Sequence, residues 1–322
     1  MSKTDEFIKG FEKQFGKGAI FNLASNASLD IESIPTGVDE VDEILGIGGL
    51  PKGRIVEIFG AESSGKTTLC LTACAGAQRA MPDRDVAIID FEHALDRKYT
   101  EILGVDLKRM YVCQPDTGQQ GLNIADELIK SGLFSIVVID SIAAITTQAE
   151  LDGEVGDANV GQLPRMVSQF VRKTTASLNR TGTILICTNQ IREKIGVMFG
   201  SPLTTPGGRA LKHGCSVRIK MSMIQTIKSQ DDKVASKIRV ETVKNKCATP
   251  AKQCEVIIRF GEGIDRIHSV IQQALEQKIL DKKGGWFSYN EKNIANGADN
   301  MRLLLKEDTG LLQEIELKLN TQ

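Results

Sequence analysis

The apolar positions of this chain change period several times, and each change marks an element. Residues 4–15, TDEFIKGFEKQF, place Phe7, Phe11 and Phe15 at i, i+4 and i+8 with Ile8 beside them, a helical stripe with Thr4 available as N-cap. The polar stretch NLASNASLD (22–30) separates this stripe from the next apolar run, so it reads equally as packing on its own domain or docking on a neighbouring subunit. Continuous apolar runs of strand length follow: RIVEIF (54–59), DVAIID (85–90), FSIVVID (134–140) and GTILICTNQ (182–190). Helical segments such as LCLTACAGAQRA (69–80), ended by Met81-Pro82, and QGLNIADELIKSG (120–132) lie between them. Strands that are apolar throughout are buried on both faces, which predicts an α/β fold with a mostly parallel sheet flanked by helices. SVRIKMS (216–222), SKIRVETVK (236–244) and QCEVIIRFG (253–261) lie close together, and antiparallel pairing at the sheet edge is expected for them. From His268 the period is helical again (HSVIQQALEQKIL), followed by an aromatic turn, GGWFSYN, and two further helical stretches. The expected organisation is an N-terminal helix and linker (1–32), a core (33–266) and a small C-terminal α/β domain (267–322).

Bulk composition narrows the class without choosing a function. The chain has 322 residues, 41% hydrophobic and 25% charged, as in an ordinary soluble protein. It has no run of eighteen apolar residues, and MSKTDEFIKGFEK lacks a signal-peptide hydrophobic region, so a cytoplasmic protein with no membrane partner is expected. The net charge of −1 offers no global argument for nucleic acid, and only local patches remain. From Gln190 to His213, Arg192, Lys194, Arg209 and Lys212 face Glu193 alone; from Lys237 to Lys252, Lys237, Arg239, Lys244, Lys246 and Lys252 face Glu241 alone. Solvated basic faces are common, so charge by itself leaves DNA binding open. The seven cysteines are scattered and mostly in apolar runs, which suits reduced core thiols. Cys70 and Cys74 stand one helical turn apart without a second Cys or His pair, which argues against a zinc site.

The strongest chemical signal is Gly60-Ala61-Glu62-Ser63-Ser64-Gly65-Lys66-Thr67-Thr68, between a strand-type run and a helix-type segment. Its spacing is G-x-x-x-x-G-K-[ST], the phosphate-cradling P-loop. A nucleoside triphosphate crowds several negative charges together, and backbone N–H groups at a helix N-terminus surround them without side-chain bulk. Gly60 and Gly65 permit that approach, Lys66 brings an ammonium to the β- and γ-phosphates, and the Thr67 hydroxyl suits Mg²⁺. Thr68 is expected to pack or cap.

Ligands of a parallel sheet gather at the carboxyl ends of its strands. Asp140, after four consecutive β-branched residues (Ile136 to Ile139), has the form of a Walker B carboxylate for Mg²⁺. Glu92 follows another strand and suits a base for the attacking water; Gln190 ends a third and suits a γ-phosphate sensor. Taken alone, either reads as readily as a local capping residue. Ile191 to Gly208 contains four glycines and two prolines, too irregular for a helix or strand, and its basic residues and tether to Gln190 suggest a loop ordered by nucleotide. The acidic segment 149–161 cannot hold phosphates through net charge, whereas Arg165, Arg172 and Lys173 beyond it can. Trp286 and Tyr289 suit base stacking, but core packing is the commoner use of aromatics in so small a unit.

Together these stretches closely resemble the bacterial RecA recombinase family, from KQFGKG (13–18) to GGWFSY (284–289). The strings that carry the likeness are GGLPKGRIVEIFGAESSGKTTL, IDFEHALD, QPDTGQQ, VVIDSIAA, GEVGD, NQIREKIGVMFGSP, GGRALK, VKNK and GEGI. The resemblance implies a RecA-type P-loop ATPase core with an N-terminal oligomerisation helix, assembling head to tail as a helical filament on single-stranded DNA and pairing it with homologous duplex DNA. It implies ATP and Mg²⁺ as ligands, with residues 60–68 on the nucleotide, Lys66 among the catalytic groups, Thr67 and Asp140 on the metal, Glu92 as general base and Gln190 as coupler to the next loop. Asp96 and Tyr99 match the family's adenine contacts, and Lys244 and Lys246 match cations that reach ATP across the subunit interface. Segments 153–161 and 191–208 match its two DNA loops, which makes Arg165, Arg172, Arg192, Lys194, Ile195, Gly196, Val197, Met198, Gly207, Gly208 and Arg209 DNA-binding candidates. A role in repair and the DNA-damage response, with a repressor-type protein client, also lies within the resemblance.

Several positions depart from the family pattern. Ala61 and Arg97 replace prolines, Leu163-Pro164 puts a proline near the second loop's helix, and LKHGCSV carries His213 where the family has an aromatic that links subunits. Altered cooperativity is the expected consequence. LLQEIELKLNTQ is balanced in charge where many relatives carry an acidic tail, which leads to an expectation of easier duplex uptake. The competing readings are a ring ATPase or helicase of related fold, and a DNA-coating protein that uses ATP only as a structural ligand. The early start of the core disfavours the first, and Lys66, Glu92 and Asp140 disfavour the second.

Overall fold

The computed structural model describes residues 3–16, 19–20, 31–154, 161–193, 203–229 and 232–319. It comprises two units, Met1–Glu32 and Ser33–Gln322. In the first, a helix spans Lys3–Phe15, with Asp5 and Glu6 in its first turn and Lys13 in its last, charges that complement the helix dipole. Its phenyl stripe forms as the spacing predicts: ring centroids are 6.0 Å apart for Phe7 and Phe11 and 4.4 Å for Phe11 and Phe15. No residue of this helix is buried, and Phe7 and Phe15 are 65% and 59% exposed.

The second unit is organised by a nine-stranded sheet. Its strand order is Gly263–Ile264, Gln253–Arg259, Asp232–Asn245, Val217–Ser229, Ile55–Gly60, Ile184–Gln190, Phe134–Asp140, Asp85–Asp90 and Met110–Cys113. The six strands from Val217–Ser229 to Met110–Cys113 run parallel, and the other three extend the sheet in antiparallel fashion. Alternate residues fill two cores. Val56, Ile58, Val86, Ile88, Ile136, Val138, Ile184 and Ile186 belong to one core with residues of the Lys66–Ala80 helix; Ile55, Ala87, Ile89, Val137, Ile139 and Leu185 belong to the other with residues of the Gly118–Ser131 and Gln162–Thr181 helices. Lys66–Ala80 lacks an amphipathic stripe because it is enclosed nearly all round. A Cβ at its Gly76 would lie 2.6 Å from the Pro35 carbonyl oxygen.

Three elements differ from the sequence reading. GGWFSYN is no simple turn: Trp286–Tyr289 is the centre of a three-stranded antiparallel sheet with Asp281–Lys283 and Lys292–Asn296. Phe287 and Tyr289 face its core, but a four-residue strand beside two glycines is too short to show alternation. Gln148–Asp152 is a short helix closed by a capping box between Thr147 and Glu150, overlapping the start of the acidic segment 149–161, for which no helix is expected from the sequence. The edge strand Met110–Cys113 gives little sequence signal, because Tyr111 and Val112 remain about half exposed.

A third core lies in the C-terminal part, with Val270, Phe287, Tyr289, Met301 and Ile315 among its members. Asp265 joins this part to the sheet by accepting from Arg259 Nε (2.5 Å) and Arg302 Nε (2.8 Å). Tyr289 is spent on packing and on hydrogen bonds with Glu314 and Lys318 (2.6 Å each), while Trp286 stays half exposed. All seven cysteines are free thiols, and burial pushes those of Cys74 and Cys254 up to about 12. No helix among the described residues is long and apolar enough to cross a membrane.

Asp42, in the short helix Asp39–Leu45, accepts from the Thr36 backbone N–H with both oxygens (2.9 and 3.1 Å) and so ties that helix to the chain entering it. Burial raises its carboxyl from 3.8 to about 6 against these bonds. A raised folded-state value gives a stability term that is full below pH 4 and lost as pH rises through 6. Asp42→Asn removes that term, so the stability of the variant relative to the parent should improve by up to about 3 kcal/mol between pH 4 and pH 7. Parallel urea titrations across this range check it; a flat difference would refute the buried, proton-binding carboxylate.

Candidate functional site

The Ile55–Gly60 strand delivers the P-loop, and the Lys66–Ala80 helix carries its N-terminal N–H groups away from it. The turn between them is sterically determined. Gly65 has φ +83°, and a Cβ there would meet Ile258 Cδ1 at 2.2 Å; one at Gly60 would meet the Met221 carbonyl oxygen at 2.3 Å. Ser63 also has positive φ, 57°. Ser64 Oγ donates to the Ala61 carbonyl (2.8 Å) and closes the loop, as Lys66 Nζ does to the Ala61 (2.8 Å) and Gly60 (3.4 Å) carbonyls. Burial lowers the Lys66 proton affinity against the pull of Glu92 and Asp140, and the side chain already lies across the loop mouth.

Parallel register brings the strand ends to one edge. Asp140 lies level with Asp90, and Gly60 with Gln190. Thr67 Oγ1 donates to Asp140 Oδ2 (2.8 Å), and Thr188 Oγ1 donates to Asp140 Oδ1 (2.5 Å). Burial raises the Asp140 carboxyl above the usual range; the two hydroxyls oppose this, and Glu92 and Asp90 add to it. A hydroxyl and a carboxylate beside a helix N-terminus form the hard-oxygen donor set that suits Mg²⁺. Glu92 Oε1 accepts from Ser141 Oγ (2.6 Å) and, at 3.5 Å, from Gln190 Nε2. The three strand-end residues expected from sequence, Asp140, Glu92 and Gln190, therefore share one edge with the P-loop.

Three supporting residues escaped the sequence reading. Ser141 orients Glu92, Thr188 holds Asp140, and Asp90 fixes the turn to Glu92 by accepting from the Glu92 N–H (3.1 Å) and from Gln114 Nε2 (2.9 Å). Their common signal is a polar residue at or just beyond the end of an apolar strand. Thr68 packs as expected and shares a hydrogen bond with Tyr99 Oη (3.0 Å). Asp96 caps the Arg97–Ile102 helix through the Tyr99 N–H (2.6 Å), which places both adenine candidates on the rim of the P-loop helix.

Lys244 and Lys246 are not at this edge. Lys244 pairs with Arg218, itself level with Glu57, and the Lys246 N–H donates to the Ser216 carbonyl near the start of the Ile55–Gly60 strand. At about 3.3 Å per residue this is roughly 10 to 16 Å along the sheet from Gly60. Lys244 Nζ donates to the Lys212 (2.6 Å) and His213 (3.1 Å) carbonyls, and Lys246 Nζ to His213 (3.5 Å), at the C-terminal end of the Gly208–Gly214 helix. Burial, then Lys246, lowers the Lys244 proton affinity.

The DNA candidates divide. Arg165 and Arg172 are exposed on the Gln162–Thr181 helix, with Arg172 Nη1 donating to Ser168 (2.7 Å). The stretch after Gln190 has a structured base: Arg192–Glu193 pairs with Leu203–Thr204 in a two-stranded antiparallel ladder, which corrects the expectation of wholly irregular chain. Gly207 and Gly208, at φ +86° and +76°, turn the chain into the next helix, where Arg209 is exposed. A Cβ on Gly208 would meet Pro164 at 3.0 Å, so the returns of the two expected DNA loops meet, and the unusual proline sits at that contact. Lys194, Ile195, Gly196, Val197 and Met198 lie outside the described residues.

Comparison with known proteins agrees with this architecture. A RecA N-terminal domain model matches residues 3–265, and a RecA C-terminal domain model matches residues 268–322. The chain is 51% identical to a Protein RecA of Rubrobacter xylanophilus over 94% of this chain and 88% of the relative. For Protein RecA of Nocardia farcinica the figures are 50%, 96% and 88%, and for that of Clostridium acetobutylicum 46%, 99% and 91%. Among solved structures, a RadB recombinase superposes with a TM-score of 0.55 over 72% of this chain and 98% of its own, at 19% identity, a likeness of fold. With both family domains matched and about half of all residues shared over nearly the full length, the chain belongs to the RecA family.

Proposed function

We propose that the chain is an ATP-dependent recombinase that polymerises on single-stranded DNA and pairs it with homologous duplex DNA. The observation that carries this is the division of the nucleotide machinery between the two ends of one sheet. Lys66, Asp140, Glu92 and Gln190 share the P-loop edge, whereas Lys244 and Lys246 lie towards the other end of the sheet, away from this copy's P-loop, which supports a role for them at another copy's nucleotide.

In the proposed mechanism the P-loop N–H groups and Lys66 hold the phosphates, and Lys66 turns from the Ala61 carbonyl to do so. Thr67 and Asp140 would hold Mg²⁺, which neutralises phosphate charge when bound. Glu92, oriented by Ser141, takes the proton of the attacking water. Gln190 shifts from Glu92 to the γ-phosphate, and the loop it begins changes order as it does. Asp96 and Tyr99 flank the base. Arg165, Arg172, Arg192 and Arg209, with residues 194–198 and the Gly207–Gly208 turn, contact DNA mainly at phosphates, as tolerance of any sequence requires.

Assembly has a surface to use. Ile124, Leu128, Leu133 and Phe134 line a shallow apolar groove of about 460 Å³, and of these Leu133 is 66% exposed. Its occupant on this reading is the Phe7, Phe11 and Phe15 face of a second copy's N-terminal helix.

ATP turnover should rise on adding single-stranded DNA, and electron micrographs should show filaments; rings, or turnover indifferent to DNA, would overturn the reading. Mixing separates the shared site from a self-contained one. Lys66→Ala and the double variant Lys244→Ala/Lys246→Ala should each be inactive, yet a 1:1 mixture should recover activity at about a quarter of its head-to-tail interfaces. A mixture as inactive as its components would show that the lysines do not act across copies. Thr188→Val should raise the Mg²⁺ needed for half-maximal ATP binding by about 10-fold. Because it removes a bond that favours the Asp140 carboxylate, the deficit should widen as pH falls, read by titrating a fluorescent ATP analogue.

A further inference from the structure

Asn189, buried one residue before Gln190, makes three hydrogen bonds that none of the proposed chemistry uses. Its Nδ2 donates to Glu57 Oε1 (3.0 Å) and to the Pro206 carbonyl (3.0 Å), and its Oδ1 accepts from the Gln190 N–H (3.0 Å). One side chain thus grips both ends of the 191–208 loop, its departure at Gln190 and its return at Pro206. Glu57, which is 0% exposed, is in turn held by Arg218 Nε (2.5 Å), whose guanidinium stacks 4.5 Å over Phe59. Arg218 is the cross-strand partner of Lys244, and Lys244 donates to the end of the Gly208–Gly214 helix that Pro206 and Gly207 introduce. The path, buried at Asn189 and Glu57, is closed: loop start, Asn189, Glu57, Arg218, the Lys244 strand, the Gly208–Gly214 helix and loop end.

We infer that Asn189 is a positioning residue that couples Gln190 and its loop to the lysine-bearing end of the sheet, with the Glu57–Arg218 ion pair as its rigid footing. A buried ion pair is costly to form and more costly to break, so Glu57 cannot follow a moving loop. Movement of Gln190 is therefore passed to Pro206 and to the Gly208–Gly214 helix instead of being absorbed in the sheet. That helix ends on the carbonyls that hold Lys244 and Lys246, so the state of one nucleotide site is carried to the lysines offered to the next. The inference rests on the ATP-dependent reading of Gln190 proposed above.

A polarity swap tests it by cutting the link to Pro206 while keeping the other polar partners of the network. In Asn189→Asp/Glu57→Gln the amide at 57 donates to the carboxylate at 189 and still accepts from Arg218, the Gln190 N–H keeps its acceptor, and only the donor to Pro206 is lost. The swap variant should stay folded, with a lower unfolding temperature than the parent because Arg218 loses its charged partner, and keep its DNA-independent ATP turnover. Its stimulation by single-stranded DNA should fall about 5-fold and its Hill coefficient for ATP should approach 1. Tryptic cleavage at Arg192 and Lys194 is a second readout: a non-hydrolysable ATP analogue should protect the parent and leave the variant open. Parental stimulation and protection in the variant would overturn the inference, as would a parallel loss of basal turnover, which would make Asn189 a residue of the chemistry. A parent that is protected by the analogue yet not stimulated by DNA would sink the recombinase reading alone, and tryptic protection would then decide the coupling.

Discussion

Keeping a carboxylate ionised at the buried end of a strand is the constraint on which the site depends. Asp140 is surrounded by the sheet and by the phosphate-binding helix, and burial favours its neutral form. Two hydroxyls hold it, one from the P-loop helix and one from the neighbouring strand. Those hydroxyls reach it only if the Ile184–Gln190 strand lies between the P-loop strand and the Asp140 strand, in parallel register. Strand order and the aim of these hydroxyls are thus one requirement, and inserting or deleting a residue within the Phe134–Asp140 or Ile184–Gln190 strand would turn Asp140 or Thr188 to the opposite face.

The same register explains why Glu92 and Gln190 meet although 98 residues separate them. Each leaves the end of a parallel strand, where chains emerge from the sheet together and side chains are free of the two cores. Asp90 and Ser141 then fix Glu92 from both sides of the turn. The sheet supplies alignment, and short polar contacts supply aim.

The parallel strands and the P-loop were legible because they rest on local signals, continuous apolar runs and a motif with steric requirements at Gly60 and Gly65. Glu92 and Gln190 are ambiguous from their residues alone, since a polar strand end serves capping and catalysis alike; the register adds that both lie at the P-loop edge. Thr188 and Asn189 were missed because each acts on a partner far along the chain, Asp140 or Glu57, and nothing near them in sequence marks that partner. Trp286–Tyr289 was misread because a short strand has too few positions to show a period. The ladder at Arg192–Glu193 was missed because its partner strand lies beyond a glycine-rich stretch.

On the proposed reading the nucleotide site is divided between opposite ends of one sheet, and such a division restricts how copies can associate. A two-fold dimer joins identical patches, so to complete its nucleotide sites one patch would have to span both the P-loop edge and the Lys244–Lys246 end. These lie roughly 10 to 16 Å apart along the strands and face different ends of the sheet, at about 3.3 Å per residue. Head-to-tail addition has no such difficulty, because each new copy completes one site and presents another. Such a series either closes as a ring or continues as a helix, and the nucleotide contacts leave both possible. On the proposed reading the phenyl stripe of the N-terminal helix adds a second contact at each junction between copies. On that reading nucleotide and DNA choose between ring and helix, and an assembly whose pitch is set by its ligand is one that can continue along a strand of any length.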